Sequence, residues 1–516
     1  MLTAYVLLAV CSVLLLKYGR QFLKFREAMN RLPGDDTFHP ILGNFHTFPG
    51  MSEDGLAWIY ERVNKYKYFH RVYVTPFLAP MLVYHPDTVR ETIRASIKPR
   101  QLVSGLASSY DMGTPWLGDG LILTNGRRWH RNRRLLTPSF HFEILKNYMK
   151  VYNSCTVNFL ENILVGSSKT GKSVDFQPLV SNYTLDVILR CAFSYHSHCQ
   201  TGREPGEYAK AIAEIQHLWM KRLINPMFFV EFLYRLSPQG RRFYSLCDIA
   251  HREAEAIMKK RKQELDLDPD NLKGGGGGNR KARDFLDTLL TARDEQGNGL
   301  SWTEIREEVD TFLFAGHDTT ASGIMWTLVS LARHPDHQEL VYEEVKAAVV
   351  EDTNSTKVGQ VDDDNEVKWE DLGKLQYTGQ CIKEALRLHT AVPAIERFTI
   401  EDVVFDGHVI KKGTVVNIPL WALHHNPHVW DAPHDFQPQR FHPEKVAKMD
   451  PFQFIPFSAG SRNCIGQNFA MNEMKVAVAK VVRRFQLKVD EDRPVLREMS
   501  VTMKASHGAY LLATER

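Results

Sequence analysis

The sequence predicts a mainly α-helical fold with small β-sheets, placed behind an N-terminal membrane anchor. A capping box formed by Ser301 and Glu304 opens a long apolar helical pattern, which His334-Pro335 ends. Two short runs rich in β-branched and aromatic residues, 70–74 and 79–84, indicate strands of a small sheet near the N-terminus. The third observation is the apolar start of the chain.

Residues 1–16 are apolar apart from Thr3 and Ser12, and basic residues follow at once: Lys17, Arg20, Lys24 and Arg26. Sixteen helical residues span about 24 Å, short of the roughly 30 Å hydrocarbon core, although snorkelling Lys17 can extend the segment. The alternative is a cleaved secretory signal, but its basic leading region is missing. The positive-inside rule therefore predicts a single endoplasmic-reticulum anchor and basic linker over residues 1–32, with the body in the cytosol.

Composition narrows the function classes. The chain has 516 residues, a length that usually means two to four domains, although single large folds occur. A net charge of +3 gives no case for nucleic-acid binding. The seven cysteines are scattered without the spacing of a disulfide framework or zinc site, which indicates reduced thiols. A run of five glycines (274–278) and an acidic stretch (358–367) read as solvated loops.

Cys464 is the cysteine with the most informative surroundings. It lies in a loop between Gly460 and Gly466, directly before a helical pattern. A cysteine at a helix N-terminus sees backbone N–H groups, and a cationic neighbour such as Arg462 lowers the thiol pKa further, which favours a thiolate. For an isolated cysteine, a buried core residue beside a turn is the competing interpretation.

The middle of the long helix, residues 315–320, contains a glycine and two threonines among good helix formers. Threonines that bond back to the preceding turn, together with the glycine, loosen a helix and open a groove. A bent core helix explains the same pattern without any chemistry. Elsewhere, Trp129 and Arg133 lie four residues apart in a basic helix, and Glu384 and Arg387 form a common i, i+3 pair.

The string Phe457 to Gly466 matches the haem-binding loop of the cytochrome P450 superfamily, Phe-x-x-Gly-x-Arg-x-Cys-x-Gly. The resemblance implies a haem-thiolate fold over residues 33–516, with Cys464 as the proximal ligand of the iron. It implies that Thr319 bonds iron-bound dioxygen and that Asp318 relays protons. The implied haem-propionate residues are Trp129, Arg133, Arg397 and Arg462. The implied structural network around the proximal loop comprises Glu384, Arg387 and Arg440.

The resemblance is greatest to cytochrome P450 family 4, subfamily F, through strings such as 115–121, 137–142, 284–287 and 424–427. It implies insertion of one oxygen atom from O2 into C–H bonds of lipid-like substrates, at or near the omega end of fatty acids or eicosanoids. Electrons would come from NADPH through NADPH–cytochrome P450 reductase, with cytochrome b5 as a further candidate partner. Two other functions stay open: a reductase-independent hydroperoxide isomerase or peroxygenase, and a non-catalytic haem-thiolate sensor or carrier.

One position departs from that branch. Many members have glutamate where this chain has Ala315, and the glutamate esterifies a haem methyl. Because alanine lacks a carboxylate, haem b is expected to be held non-covalently. Without that tether, strict selectivity for the terminal carbon of the substrate is an open question. The resemblance also leaves four arginines free to steer an acidic electron donor: Arg127, Arg128, Arg131 and Arg134. The expected cavity segments are Ser104 to Trp116, Phe312 to Thr319, Val392 to Ile395 and Val501 to Met503, whose apolar character specifies only a lipid.

Overall fold

The computed structural model describes residues 2–39, 42–75, 78–97, 108–170, 172–202, 207–267, 284–293, 297–349 and 366–516. The glycine run at 274–278 and almost all of the acidic stretch at 358–367 lie outside the described residues. Of the acidic stretch, the described end is Glu366 and Val367. Val367 is buried, and its backbone N–H donates to the Asn153 side chain at 2.9 Å.

Helices make up most of the described chain. They are α1 (Leu2–Asn30), α2 (Glu53–Lys65), α3 (Pro86–Arg94), α4 (Thr114–Leu117), α5 (Gly126–Leu136), α6 (Phe142–Thr170), α7 (Phe176–Phe193), α8 (Glu207–Leu223), α9 (Glu231–Leu236), α10 (Pro238–Leu267), α11 (Phe285–Thr291), α12 (Trp302–Arg333), α13 (Pro335–Ala348), α14 (Gln376–His389), α15 (Leu420–His424), α16 (Pro443–Val446) and α17 (Gln467–Arg484). The predicted helical class is confirmed.

The strands are short. They are β1 (Phe69–Arg71), β2 (Met81–Val83), β3 (Ser96–Ile97), β4 (Val174–Asp175), β5 (Ile395–Thr399), β6 (Val403–Phe405), β7 (His408–Ile410), β8 (Val415–Ile418), β9 (Phe485–Val489), β10 (Arg497–Met499), β11 (Met503–Ala505) and β12 (Tyr510–Glu515). The largest sheet has the order β1-β2-β8-β5-β3, and the others are β4-β12-β9, β10-β11 and β6-β7. The two predicted N-terminal strands pair antiparallel, with Phe69 opposite Val83.

Helix α12 crosses the centre of the core. Both halves of the predicted capping box form, because the Ser301 side chain accepts from the Glu304 backbone and the Glu304 side chain accepts in return. The helix ends at Arg333, as predicted, and α13 begins at Pro335. A Cβ added at Gly316 would lie 2.6 Å from Ile188 of α7, so this glycine allows α12 and α7 to pack closely. The helix is continuous through this stretch.

The N-terminal helix α1 runs to Asn30, well beyond the apolar stretch. Within the part of the chain that the structure describes, no helix combines the length and hydropathy needed to cross a bilayer. The anchor over residues 1–32 therefore stays a prediction. The end of α1 is held in place by Arg71, which donates to the carbonyls of Met29 at 2.7 Å and Asp35 at 2.9 Å.

A buried ionic network joins α14 to the loop before the cysteine. Arg387 forms a two-pronged pair with Glu384, at 2.7 and 2.8 Å, and both side chains are completely buried. Arg387 also donates to three backbone carbonyls, those of His424, Pro433 and Asp435. Arg440 completes the network, 3.3 Å from Glu384. These contacts bring together the three residues that the sequence assigned to a structural network.

Candidate active site

The Cys464 loop is shaped by backbone contacts. The Cys464 N–H donates to the carbonyl of Phe457 at 2.8 Å, which closes the loop on itself. Gly460 has a φ of +71°, a conformation that glycine adopts without strain. A short turn at Gly460–Arg462 precedes the cysteine, and α17 follows it from Gln467. The predicted position of Cys464, in a tight loop before a helix, is confirmed.

The electrostatic surroundings of Cys464 differ from the expectation. Burial raises the pKa of its thiol above the ordinary value, although the backbone N–H of Gly466 and the charge of Arg133 act to lower it. The predicted cationic neighbour, Arg462, points elsewhere. Cys464 nevertheless has solvent-accessible surface. Coordination to a metal is therefore what would make it a thiolate.

Helix α5 holds the loop from one side through the two predicted residues. Arg133 donates to the backbone and side-chain oxygens of Asn463, both at 2.9 Å. Trp129 is buried, and the Arg462 guanidinium stacks over its ring at 4.3 Å. Arg462 also donates to the Thr124 carbonyl at 2.8 Å and to the Asn125 side chain at 2.6 Å. Sequence positions more than 300 residues apart thus meet beside Cys464.

Arg397 reaches the same loop from strand β5. Its guanidinium donates to the Ser458 hydroxyl at 3.3 Å and is almost fully buried. Tyr110, which the sequence placed only within the expected cavity segment Ser104 to Trp116, hydrogen-bonds Arg397 and accepts from the Glu396 backbone N–H at 3.4 Å. No local pattern marks Tyr110, because its role depends on a strand almost 290 residues away.

Arg133, Arg397 and Arg462 concentrate positive charge around the cysteine. Burial lowers the pKa of all three, and the charges of Arg397 and Arg133 help to lower that of Arg462 to about 10. Within the described residues, none of the three forms an ion pair with a carboxylate. Arg397 is buried, and Arg133 and Arg462 are half-buried. Three such cations without a counter-charge fit a ligand that carries two carboxylates, since guanidinium groups bind carboxylates well. The residues therefore fit a haem with its propionates.

Two arginines of α5 are not free, in contrast to the expectation. Arg128 pairs with Glu307 and Asp119, and Arg131 pairs with Glu304. On the same face, the Asn132 side chain donates at 2.7 Å to Glu308, which burial gives a pKa of about 7. These contacts clamp α5 to α12. Of the four arginines proposed to steer a donor, Arg127 and Arg134 are the exposed ones.

Thr319 lies on α12 and bonds back to the preceding turn. Its hydroxyl donates to the carbonyl of Ala315 at 2.8 Å, as the sequence predicted. The second threonine differs, because the buried Thr320 hydroxyl has no hydrogen-bond partner among the described residues. Ala315 is half-buried. The helix is continuous here, so the loosening predicted for residues 315–320 is not seen, and the groove stays a prediction.

Asp318 is completely buried, and its contacts lie on strand β11 and the residue before it. Its carboxylate accepts from the Lys504 ammonium and the Thr502 hydroxyl. Burial by itself would raise the pKa of Asp318, but the charge of Lys504 and the hydrogen bonds from Lys504 and Thr502 hold it below its ordinary value. Burial also lowers the pKa of His317 to about 4, so this neighbour is neutral. Asp318 is therefore an ionised carboxylate at neutral pH.

A surface cavity of about 450 Å³ leads to Asp318. It lies between α7, α8, α12 and the β10-β11 hairpin, and Lys504 and Ser181 line it beside Asp318. Ser181 hydrogen-bonds the His317 ring at 2.8 Å. Asp318 is thus connected to solvent through a polar cavity, which the sequence did not indicate because its walls come from four separate segments.

Two residues that were expected to line the substrate cavity, Phe312 and Thr502, make other contacts. Phe312 packs into the core, with its ring 4.2 Å from that of Phe285 on α11. Thr502 bonds Asp318, as described above. Val392 and Ile395 are half-buried and Ala394 is exposed, so their surfaces are accessible as expected. Residues 104–107 lie outside the described residues.

Comparison with known proteins agrees with this geometry. The family described as cytochrome P450 matches residues 33–512. The chain belongs to the cytochrome P450 family. It is 39% identical to cytochrome P450 4F2 of Homo sapiens, over 89% of this chain and 86% of that protein. It is 40% identical to cytochrome P450 4F4 of Rattus norvegicus, over 89% and 85%. It is 39% identical to leukotriene-B4 omega-hydroxylase 3 of Mus musculus, over 89% and 85%.

These relatives support the family 4, subfamily F resemblance found in the sequence. Membership makes this cytochrome P450 a monooxygenase that uses haem iron, O2 and electrons from a redox partner. It also makes a lipid-like substrate the expected class.

Proposed function

We propose that this cytochrome P450 hydroxylates fatty acids or eicosanoids at or near the omega end. The observation that carries the proposal is the Cys464 loop, where Arg133, Arg397 and Arg462 gather without a carboxylate partner among the described residues. The substrate class follows from the relatives, one of which is named as a leukotriene-B4 omega-hydroxylase. The accessible apolar segment at Val392 to Ile395 agrees with a lipid chain.

Each site residue has a proposed task. Cys464 would hold the iron of a non-covalently bound haem b through its thiolate, and the haem would supply O2 activation. Arg133, Arg397 and Arg462, with Trp129, hold the propionates and orient the ring. Thr319 offers its hydroxyl at the α12 turn, and Asp318 passes protons toward that turn from the polar cavity beside Lys504.

The proposed setting is the endoplasmic-reticulum membrane, with residues 1–32 as anchor and basic linker and 33–516 as one catalytic domain facing the cytosol. NADPH–cytochrome P450 reductase is the proposed electron donor, and cytochrome b5 is a further one. Exposed Arg127 at the start of α5 offers positive charge to such acidic partners.

Reconstitution tests the proposal. Purified haem-loaded protein, NADPH and the reductase should convert laurate, arachidonate or leukotriene B4 to products hydroxylated at or near the omega carbon, with NADPH consumed in step. A screen over sterols and retinoids serves as the control for substrate class. Turnover of hydroperoxides without reductase, and no NADPH-dependent product, would favour the isomerase instead.

Lys504 is expected to act as a positioning residue for Asp318. The substitution Lys504→Met removes the cation that keeps the buried carboxylate ionised, so proton delivery should slow and kcat should fall roughly tenfold or more. Peroxide released per NADPH should rise and the solvent isotope effect should change. KM should stay nearly constant, and Lys504→Arg should restore most of the rate. Equal kcat and coupling in Lys504→Met would remove the polar cavity from the proton route.

Ala315 tests the mode of haem attachment. Acidified organic solvent should extract all haem from the natural chain, because Ala315 has no carboxylate to form an ester. Ala315→Glu should retain part of the haem on the polypeptide after turnover, and Ala315→Gln, of equal size, should not. Haem that resists extraction from the natural chain would contradict the non-covalent assignment.

A further inference from the structure

A second cavity, of about 400 Å³, lies beside the segment that leads into the cysteine loop. Helices α14 and α17 form two walls, and the segment 441–458 forms the rest. No residue of α12 lines it, and neither Cys464 nor the three arginines do. It is therefore distinct from the site described above.

The interior of this cavity is apolar. Leu386, Phe441 and Ile455 are buried in its floor, and Phe454 and Met471 are half-buried against it. A volume near 400 Å³ is at the lower end of the range for small-molecule sites, roughly 300 to 1,000 Å³. Such a space suits a single alkyl chain, whereas a two-chain phospholipid needs more room.

The charge at its edge is a lysine. Lys383 of α14 lines the cavity, is half-buried, and makes no ion pair or hydrogen bond within the described residues. The acid of the lining, Asp450, is already paired with Arg90. Nearby Glu344 is engaged by the backbone N–H groups of Tyr377 and Thr378. The cavity therefore offers a cation without a counter-charge beside an apolar interior.

We infer that this cavity is a second binding site for an unesterified fatty acid, whose carboxylate pairs with Lys383 and whose chain enters the apolar floor. Fatty acids are also the substrates in the proposed function, but the evidence for this second site is Lys383 and the cavity alone. Its ligand is an effector, because the cavity does not reach the cysteine.

The wall of the cavity connects it to the reaction centre. Phe457 and Ser458 line it, and the Phe457 carbonyl accepts from the Cys464 N–H. Ser458 has a φ of +60°, a strained conformation for a residue with a side chain, and its hydroxyl holds Arg397 at 3.3 Å. A ligand pressing on this wall shifts contacts to both the cysteine and a propionate arginine, so its binding should alter the haem spectrum.

The test uses haem-loaded full-length protein saturated with an azole that occupies the substrate side of the iron. Laurate is then titrated in by calorimetry and by haem absorbance. The natural chain should bind one laurate in the presence of azole, with a small spectral change, and dodecanol should bind at least tenfold more weakly. Lys383→Glu should weaken laurate binding tenfold or more and leave dodecanol binding unchanged. Met471→Trp should abolish both by filling the cavity.

Lys445→Glu is the matched control, since Lys445 is an exposed lysine on α16 that does not line the cavity. It should bind laurate as the natural chain does. Folding of each variant is checked by its carbon monoxide spectrum, and either cavity variant suffices if the other fails to fold. The inference would be overturned if the azole-saturated natural chain bound no laurate, or bound dodecanol as tightly as laurate. It would also be overturned if the protein bound phosphatidylserine vesicles but no free laurate. Because the azole occupies the substrate side of the iron, laurate binding in this assay does not depend on whether the protein hydroxylates fatty acids.

Discussion

Replacing Cys464 by serine should abolish the red-shifted absorption band that reduced, carbon-monoxide-treated protein gives, and monooxygenase activity with it. Serine fits the loop, because the bond from the residue 464 N–H to the Phe457 carbonyl is a backbone contact. It cannot supply the thiolate that defines this class of haem site. Cys464→His should shift the band to that of a histidine-ligated haem.

The matched control is Cys199→Ser. Cys199 is a half-buried thiol whose contacts are Ser197 and the Asn182 carbonyl, away from the Cys464 loop. This variant should keep the natural spectrum and activity. A red-shifted band that persists in Cys464→Ser would assign the axial ligand to another residue and contradict the central assignment.

Loss of Arg387 should unfold much of the protein. Arg387→Met removes two bonds to Glu384 and three to backbone carbonyls, and it leaves the Glu384 carboxylate in a fully buried position. Breaking one partner of a buried pair costs about 3 to 5 kcal/mol of the free energy of unfolding. Denaturant unfolding and the fraction of purified chain that carries haem measure the loss, and haem should be largely absent.

Two variants calibrate this result. Lys411→Met removes an exposed ion pair with Asp402 and should leave the unfolding midpoint unchanged. Combining Glu384→Gln with Arg387→Met should recover part of the stability, because the buried charge is then gone. A single Arg387→Met variant as stable as the natural chain would mean that the network does not hold the fold.

The sequence was sufficient wherever a feature depended on near neighbours. The capping box at Ser301, the helix end at Arg333 and the loop around Cys464 are local patterns, and the structure has each at the predicted place. Trp129 and Arg133 were placed correctly on one face of α5 for the same reason, since four residues make about one helical turn. The i, i+3 spacing predicted the pairing of Glu384 with Arg387, and the family resemblance added Arg440; the contacts agree with both.

Tertiary packing decided the electrostatics. The sequence suggested Arg462 as the cation beside Cys464, yet Arg133 takes that place because Arg462 turns to Thr124 and Asn125. Burial raises the pKa of the Cys464 thiol by more than the Gly466 N–H and the Arg133 charge lower it. No local sequence pattern indicates how deeply a residue is buried. Arg128 and Arg131 were predicted to be free, but they pair with Glu307 and Glu304 of α12, which lie more than 170 residues further along the chain.

The sequence by itself thus predicted the candidate site residues and their local placement, because residue types and spacing are fixed along the chain. Only the tertiary structure decided what each one faces. Asp318 illustrates the difference: its place in α12 was readable, but its partner Lys504 lies 186 residues away on a short hairpin. A charge interaction depends on distance in space and on burial, and both are set when separate segments pack together.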